Sequence, residues 1–340
     1  MKNKTHTTQI FLPLILTAIL SAGIITGCKK ETPNQPQPEA VLKKQPKFVA
    51  VAGLGSDKAA YSEDGINWSL TRMPKSSRWI SVCYGNGKFL AIADYSNDVA
   101  YSKDGINWKI ATLPYDWCWS SVCYGNGKFV AITSCTSNKA AYSEDGIKWT
   151  MTTLPEEIDW GNVCYGNGKF VVIASFYSGS SGEAAYSYDG IKWERATLPS
   201  SFGCICYGNG KFVTVEYHNA AYSEDGINWA KTPLPISAEC TSVCYGNGKF
   251  VAVAVGGHVS GSDRTAYSED GIIWKVATLP YAYWQSVCYG NGKFVAVGDD
   301  SERGDVVDSN IAAYSEDGIN WTETTMPAKA HWGRVCYGGD

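Results

Sequence analysis

Seven copies of Ala-Tyr-Ser-x-Asp-Gly-Ile-x-Trp, with Thr or Val at the odd flank, constrain this chain more than any other feature. They lie at residues 60–68, 100–108, 141–149, 185–193, 221–229, 266–274 and 313–321. Their aspartates, Asp64, Asp104, Asp145, Asp189, Asp225, Asp270 and Asp317, stand 40, 41, 44, 36, 45 and 47 residues apart. That period suits a four-stranded unit that stacks on copies of itself to bury its apolar surface. A second motif, Cys-Tyr-Gly-Asn-Gly-Lys-Phe, alternates with the first, complete at 83–89, 123–129, 164–170, 206–212, 244–250 and 288–294. It is cut short at the end of the chain as Cys336-Tyr337-Gly338, while Lys47-Phe48-Val49-Ala50-Val51 supplies the missing half at the start of the folded region.

Within one repeat, Ser81-Val82-Cys83-Tyr84 and Lys88-Phe89-Leu90-Ala91-Ile92 flank an Asn-Gly turn, a strong hairpin signal. A variable polar loop follows, then Ala100-Tyr101-Ser102, a tight turn at Asp104-Gly105, and a fourth segment from Trp108 to Leu113-Pro114. The pattern predicts an all-β, seven-bladed β-propeller of four-stranded antiparallel blades with no helix in the folded body. The seventh innermost strand lacks a second strand, and the first second strand lacks an innermost one. The termini are therefore expected to complete one blade, with Gly338 beside Lys47, which removes free sheet edges around the ring.

Ser-x-Asp-Gly-x-x-Trp resembles the Asp-box (BNR) repeat of sialidases, sortilin-type receptors and bacterial surface propellers, in a shortened form whose Asp and Gly are adjacent. The resemblance covers all seven repeats and implies a structural role for the seven aspartates. Their side chains satisfy backbone N–H groups, the glycine accepts positive φ, and the Trp covers the turn. A carboxylate repeated seven times is a poor catalyst for a reaction that needs one asymmetric constellation. The sialidase likeness implies an arginine triad, a Tyr-Glu nucleophile pair, an acid and an N-terminal Arg-Ile-Pro. The Arg-Ile-Pro motif is absent, and the six arginines include Arg195 on an outer strand. Asp94, Asp116, Asp159 and Glu239 remain as carboxylates from which a glycoside hydrolase would be assembled, the least favoured reading.

At the N-terminus, Lys2 and Lys4, the apolar stretch Ile10 to Gly27 and Thr26-Gly27-Cys28 resemble a bacterial lipoprotein signal. The resemblance implies cleavage after residue 27, acyl chains on Cys28 and a membrane anchor in the cell envelope, either periplasm-facing or at the surface. Residues 28–45 carry three prolines and almost nothing apolar before Val41, as a disordered tether does, and 46–340 form the propeller. Removing 1–27 leaves 27 basic against 33 acidic residues, a net charge of −6. That balance argues against nucleic acid as the partner. The chain is expected to be a monomer, and no motif implies a cofactor.

The repeat cysteines (83, 123, 164, 206, 244, 288 and 336) recur at one place per blade. Blades stack about 10 Å apart, too far for disulfides, so these cysteines read as small buried hydrophobes. Cys118 and Cys135 flank the hairpin at Gly125-Asn126-Gly127 and are expected to pair. Whether Cys204 and Cys240 pair is left open.

Uniform turns on one face push all variation to the other, where the longest loops span 174–183, 255–265 and 298–310. Four residues before each repeat Cys stand Trp79, Trp119, Trp160, Phe202, Cys240, Trp284 and Trp332. They read either as packing between blades or, with Tyr115, Trp117, Tyr281 and Tyr283, as an aromatic rim for sugar rings or a peptide. The acidic loop 299–308 reads as solvated, with Ca²⁺ binding as its alternative. His218, His258 and His331 fall on the same face, with Glu216 beside the first. The function expected is a non-catalytic interaction scaffold that binds a protein partner, with a multivalent carbohydrate-binding propeller as the alternative.

Overall fold

A computed structural model describes residues 47–175, 182–256, 261–302 and 305–339, with the backbone alone at 300–302 and 305–307. Cys28 and the segments expected to be a signal and a tether lie outside these residues, as do His258 and parts of the three long loops. Every regular element among the described residues is a β-strand, in antiparallel sheets of four to eight strands.

The unit is well shown by Trp160–Gly166, Lys169–Ala174, Glu183–Ser187 and Glu194–Thr197, paired in that order from innermost to outermost strand. Its second strand is buried on both faces, Phe170, Val171, Val172 and Ile173 having no exposed surface, which explains its unbroken apolar run. Small residues follow opposite: Val172 faces Ala185 and Ile173 faces Ala184 across the ladder. Two long strands, Ser69–Gly85 and Lys275–Gly290, run from the outer edge of one unit into the innermost position of the next, merging units into the larger sheets. The C-terminal strand Trp332–Gly338 pairs with Lys47–Ala52, placing Gly338 opposite Lys47.

The repeated turn is held by its own side chains. Ser62 Oγ donates to Asp64 Oδ1 at 2.9 Å, and the N–H groups of Ile66 and Asn67 donate to the same oxygen at 2.8 Å. Burial pulls Asp64 upward, but these bonds and the Asn67 amide hold its carboxyl down at about 2. Gly65 is required twice over: its φ is +74°, and a Cβ would lie 2.7 Å from Val295 of another unit.

Neighbouring units are joined by contacts that repeat around the molecule. Tyr124 lies against Gly85, Tyr165 against Gly125, Tyr207 against Gly166, Tyr245 against Gly208, Tyr289 against Gly246 and Tyr337 against Gly290, so close that a Cβ would meet each ring at about 2 Å. A seventh contact of the same kind, Tyr84 against Gly338, joins the last repeat to the first. The turn asparagines, in left-handed conformation, reach the neighbouring Ser-x-Asp-Gly turn: Asn86 Nδ2 donates to Glu144 O and Asn291 Nδ2 to Glu63 O, both at 3.0 Å. The two kinds of uniform turn therefore share one end of the molecule. The opposite end carries the loops that differ.

Candidate functional site

At the variable end, the starts of the innermost strands and the ends of the second strands enclose a cavity of about 370 Å³. Its polar lining comes from unlike residues, among them Asp94, Asn162, Glu216, Glu239, Gln285 and Arg334.

The uniform pattern shows why these residues are exceptions. Two residues before the repeat cysteine, four repeats have serine: Ser81, Ser121, Ser242 and Ser286. Each Oγ accepts the N–H of a valine in the next unit, namely Val122, Val163, Val287 and Val335, at 3.1–3.3 Å. The other three repeats have Asn162, Cys204 and Arg334 there. Asn162 Nδ2 donates to Gly203 O at 2.7 Å, bridging two units by another route. Arg334 Nη1 donates to Gln285 O and Gly333 O, both at 3.1 Å, and no carboxylate pairs with the guanidinium among the described residues. Enclosure by protein pulls Arg334 below its usual range.

A second exception lines the same cavity. Four residues after the second-strand phenylalanine, six repeats carry Ala52, Ala93, Thr133, Ala174, Ala254 or Gly298, and the seventh carries Glu216. Room for the carboxyl comes from two compensations. Gly203 lacks the Cβ that would lie 2.2 Å from Glu216 Oε2, and Cys240 stands where other repeats hold an indole or phenyl ring. Burial, and then the charge of Glu239, push Glu216 up to about 8, although the N–H of Tyr217 donates to its Oε1 at 3.2 Å. Tyr217 Oη donates to Glu239 Oε2 at 3.5 Å.

Glu216 thus holds a proton in the folded protein that the unfolded chain gives up near pH 4.5. Its contribution is nil below that pH and costs stability increasingly as pH rises to about 8. Glu216→Gln is expected to leave stability unchanged at pH 4 and to raise it by on the order of 3 kcal/mol at pH 8. Denaturant titrations of both proteins across that range read this out, and a pH-independent difference contradicts it.

No protein-family model matches the sequence, and no curated protein is similar to it. Solved structures are. A streptogramin B lyase superposes with a TM-score of 0.62 at 12% identity, covering 84% of this chain and 90% of that one. Virginiamycin B lyase from Staphylococcus aureus gives 0.63 at 14% identity, over 76% and 93%. YCF48, solved bound to D1 peptide, gives 0.56 at 14% identity, over 76% and 91%. The fold is a β-propeller.

The propeller places the predicted site residues in two groups. Trp79, Trp160, Trp284 and Trp332, with Trp119, are at most 1% exposed, so these members of the expected rim are core instead. Trp284 packs among Val253, Leu279, Val287 and Ala296. The indole N–H groups of Trp119, Trp160, Trp284 and Trp332 donate to the carbonyl four residues earlier at 3.0–3.1 Å, pinning the crossing into each innermost strand. Tyr115 and Tyr281 are exposed, and Trp117 and Tyr283 are half-buried. Lys139 Nζ lies 3.7 Å over the Trp117 ring and 5.4 Å from Tyr115.

Cys118 and Cys135 form a disulfide with Cα atoms 6.0 Å apart. With Tyr95, Asp116 and Trp117 they line a shallow cleft of about 340 Å³. Cys204 and Cys240 are buried free thiols. The repeat cysteines are also free and partly buried, five of them packing against the core clusters, and enclosure by protein pushes Cys164 up to about 12.

Asp299 departs from the solvated loop expected at 299–308. It is fully buried, its Oδ2 is 2.6 Å from His331 Nδ1, and its Oδ1 accepts the Trp332 N–H at 3.2 Å. His218 Nε2 lies 3.3 Å from Ser237 Oγ. Among the described residues no three His, Cys, Asp or Glu side chains gather as a metal ion would require. Arg195 pairs with Glu156 and Glu183, away from the cavity lining.

Sequence reasoning missed Arg334 and Asn162, and placed Glu216 on this face only as the neighbour of His218. The signal was available as departures from serine and from alanine at fixed offsets within the repeat.

Proposed function

We propose that the protein is a non-catalytic lipoprotein of the cell envelope, anchored through acylated Cys28, whose seven-bladed Asp-box propeller is closed by its terminal strands and binds a protein partner through the variable face. The closure reading is supported by the ladder from Lys47 to Gly338 and by the seven Tyr–Gly seams. The binding reading is carried by one observation: Tyr95 and Tyr115, each more than half exposed, stand with Trp117 beside the Cys118–Cys135 bridge on the face where the units differ. Exposed aromatics on a braced loop present large contact area at small entropic cost. YCF48, a propeller of similar fold, was solved with a peptide bound.

The carbohydrate-binding alternative loses the seven-fold aromatic platform on which multivalency would rest, since the repeated indoles are core. It retains Tyr115, Trp117, Tyr281 and Tyr283.

The mature chain is expected to retain one protein from envelope extracts, and Tyr115→Ser/Trp117→Ser to weaken that capture at least about tenfold while still melting cooperatively, Trp117 packing only in part against the core. Binding on a glycan array that disappears in the same variant would replace the scaffold with a lectin. Trp284→Ala is unsuitable for this test because it removes core.

A further inference from the structure

Arg334 and Glu216 are both exceptions to the repeat, both line the axial cavity, and no ion pair joins them among the described residues. Leaving a cation and an acid apart in one cavity forgoes their mutual attraction. The guanidinium is only partly committed. Both bonds it makes leave from Nη1, so Nη2 and Nε have no acceptor among the described residues. The Asn162 amide lines the same cavity. Glu216 has no cationic partner among the described residues, and Glu239 stands near enough to raise it.

We propose that the axial cavity binds a small zwitterion, its oxyanion held by Arg334 and its ammonium group by Glu216 and Glu239. An anion alone would face the two acids, and a cation alone would face the guanidinium. A molecule carrying both charges answers both walls. A volume of about 370 Å³ lies at the small end for ligand pockets and suits a small molecule. The compensations around Glu216 mark this corner as built: Gly203 clears its carboxyl, and Cys240 gives up the space of a ring. Free amino acids and phosphoethanolamine share the required chemistry, one with a carboxylate and the other with a phosphate. This site is separate from the Tyr115–Trp117 surface and does not depend on that surface binding a protein.

The test is calorimetric titration of the mature chain with the twenty free L-amino acids and O-phosphoethanolamine, each alongside its N-acetylated form. At least one zwitterion is expected to bind, and acetylation of its amine to weaken binding tenfold or more, one hydrogen-bonded charge being worth about that factor. The class that binds identifies carboxylate or phosphate as the anionic arm. Arg334→Gln and Glu239→Gln are each expected to lose tenfold or more, and either variant suffices should the other fail to fold.

An ammonium group arriving beside Glu216 displaces its proton. Titrations at pH 7 in buffers of unlike ionisation enthalpy are therefore expected to show net proton release that Glu216→Gln abolishes. The groups facing Glu216 are Glu239, Cys204, Cys240 and Tyr217. Failure of every zwitterion to bind at about 10 mM, or binding indifferent to acetylation or to both wall variants, overturns the proposal. These outcomes leave the protein-capture result of Tyr115→Ser/Trp117→Ser unaffected.

Discussion

Deletion of residues 332–340 is expected to abolish folding of the entire chain. The segment is only one strand, but it supplies the innermost ladder for Lys47–Ala52, with backbone pairs from Gly338 opposite Lys47 to Trp332 opposite Ala52. It also carries Trp332, fully buried among Val297, Met326 and Ala330, and loss of one such indole typically costs about 3–5 kcal/mol. Tyr337 packs at a tilt against Phe48 with ring centroids 4.8 Å apart, and Gly338 seats Tyr84 of another repeat. With the lost ladder and seam added to the indole, these losses are comparable with the roughly 5–15 kcal/mol that holds a folded domain. They also bare Phe48 and Val49 along an open edge. Aggregation or an unfolded circular-dichroism spectrum is the anticipated result. Recovery of soluble protein with a cooperative melt within a few degrees of the intact chain shows that the ladder is dispensable.

The second large effect separates two glycines one residue apart. In Gly166-Asn167-Gly168, a Cβ on Gly166 would lie 2.0 Å from Tyr207 Cγ, whereas one on Gly168 meets nothing within 4 Å. Tyr207 has little freedom to retreat, its ring being packed at a tilt against Phe212 with centroids 4.8 Å apart. Gly166→Ala therefore forces two units apart and is expected to cost about 3 kcal/mol or more, at or above the usual range for overpacking. Gly168→Ala carries only the strain of a φ of +74°, about 1 kcal/mol. Chemical denaturation of the two variants measures the difference. Equal losses would mean that the seam yields and that the Tyr–Gly contact is not a rigid seat.

That contrast also shows what was legible beforehand. Both glycines read as hairpin residues, because the turn signal is local and the seat is not. The Tyr that fills the seat lies about forty residues away. Strand order, turn types, the Lys47–Gly338 pairing and the Cys118–Cys135 bridge follow from alternation, from Asn-Gly spacing and from a period that can be counted. Trp284 and its counterparts were ambiguous because an aromatic at a fixed offset suits either a core or a rim, and only exposure separates them. The cavity was hidden for a different reason. Its members are defined by what they replace, serine by Arg334 and alanine by Glu216, and attention to what recurs passes over them.

The seams described above also govern assembly. Each unit offers a glycine toward one neighbour and a tyrosine ring toward the other; four units add a serine hydroxyl that accepts a valine N–H, and six add an asparagine amide that donates to a turn carbonyl. Such an interface is head-to-tail, and any head accepts any tail of the same sequence. Within one chain the last tail meets the first head because a short tether of covalent repeats holds them at high effective concentration. At high protein concentration during refolding, the strand Trp332–Gly338 of one chain can dock on Lys47–Ala52 of another, so crowding favours strand-exchanged oligomers over the closed monomer.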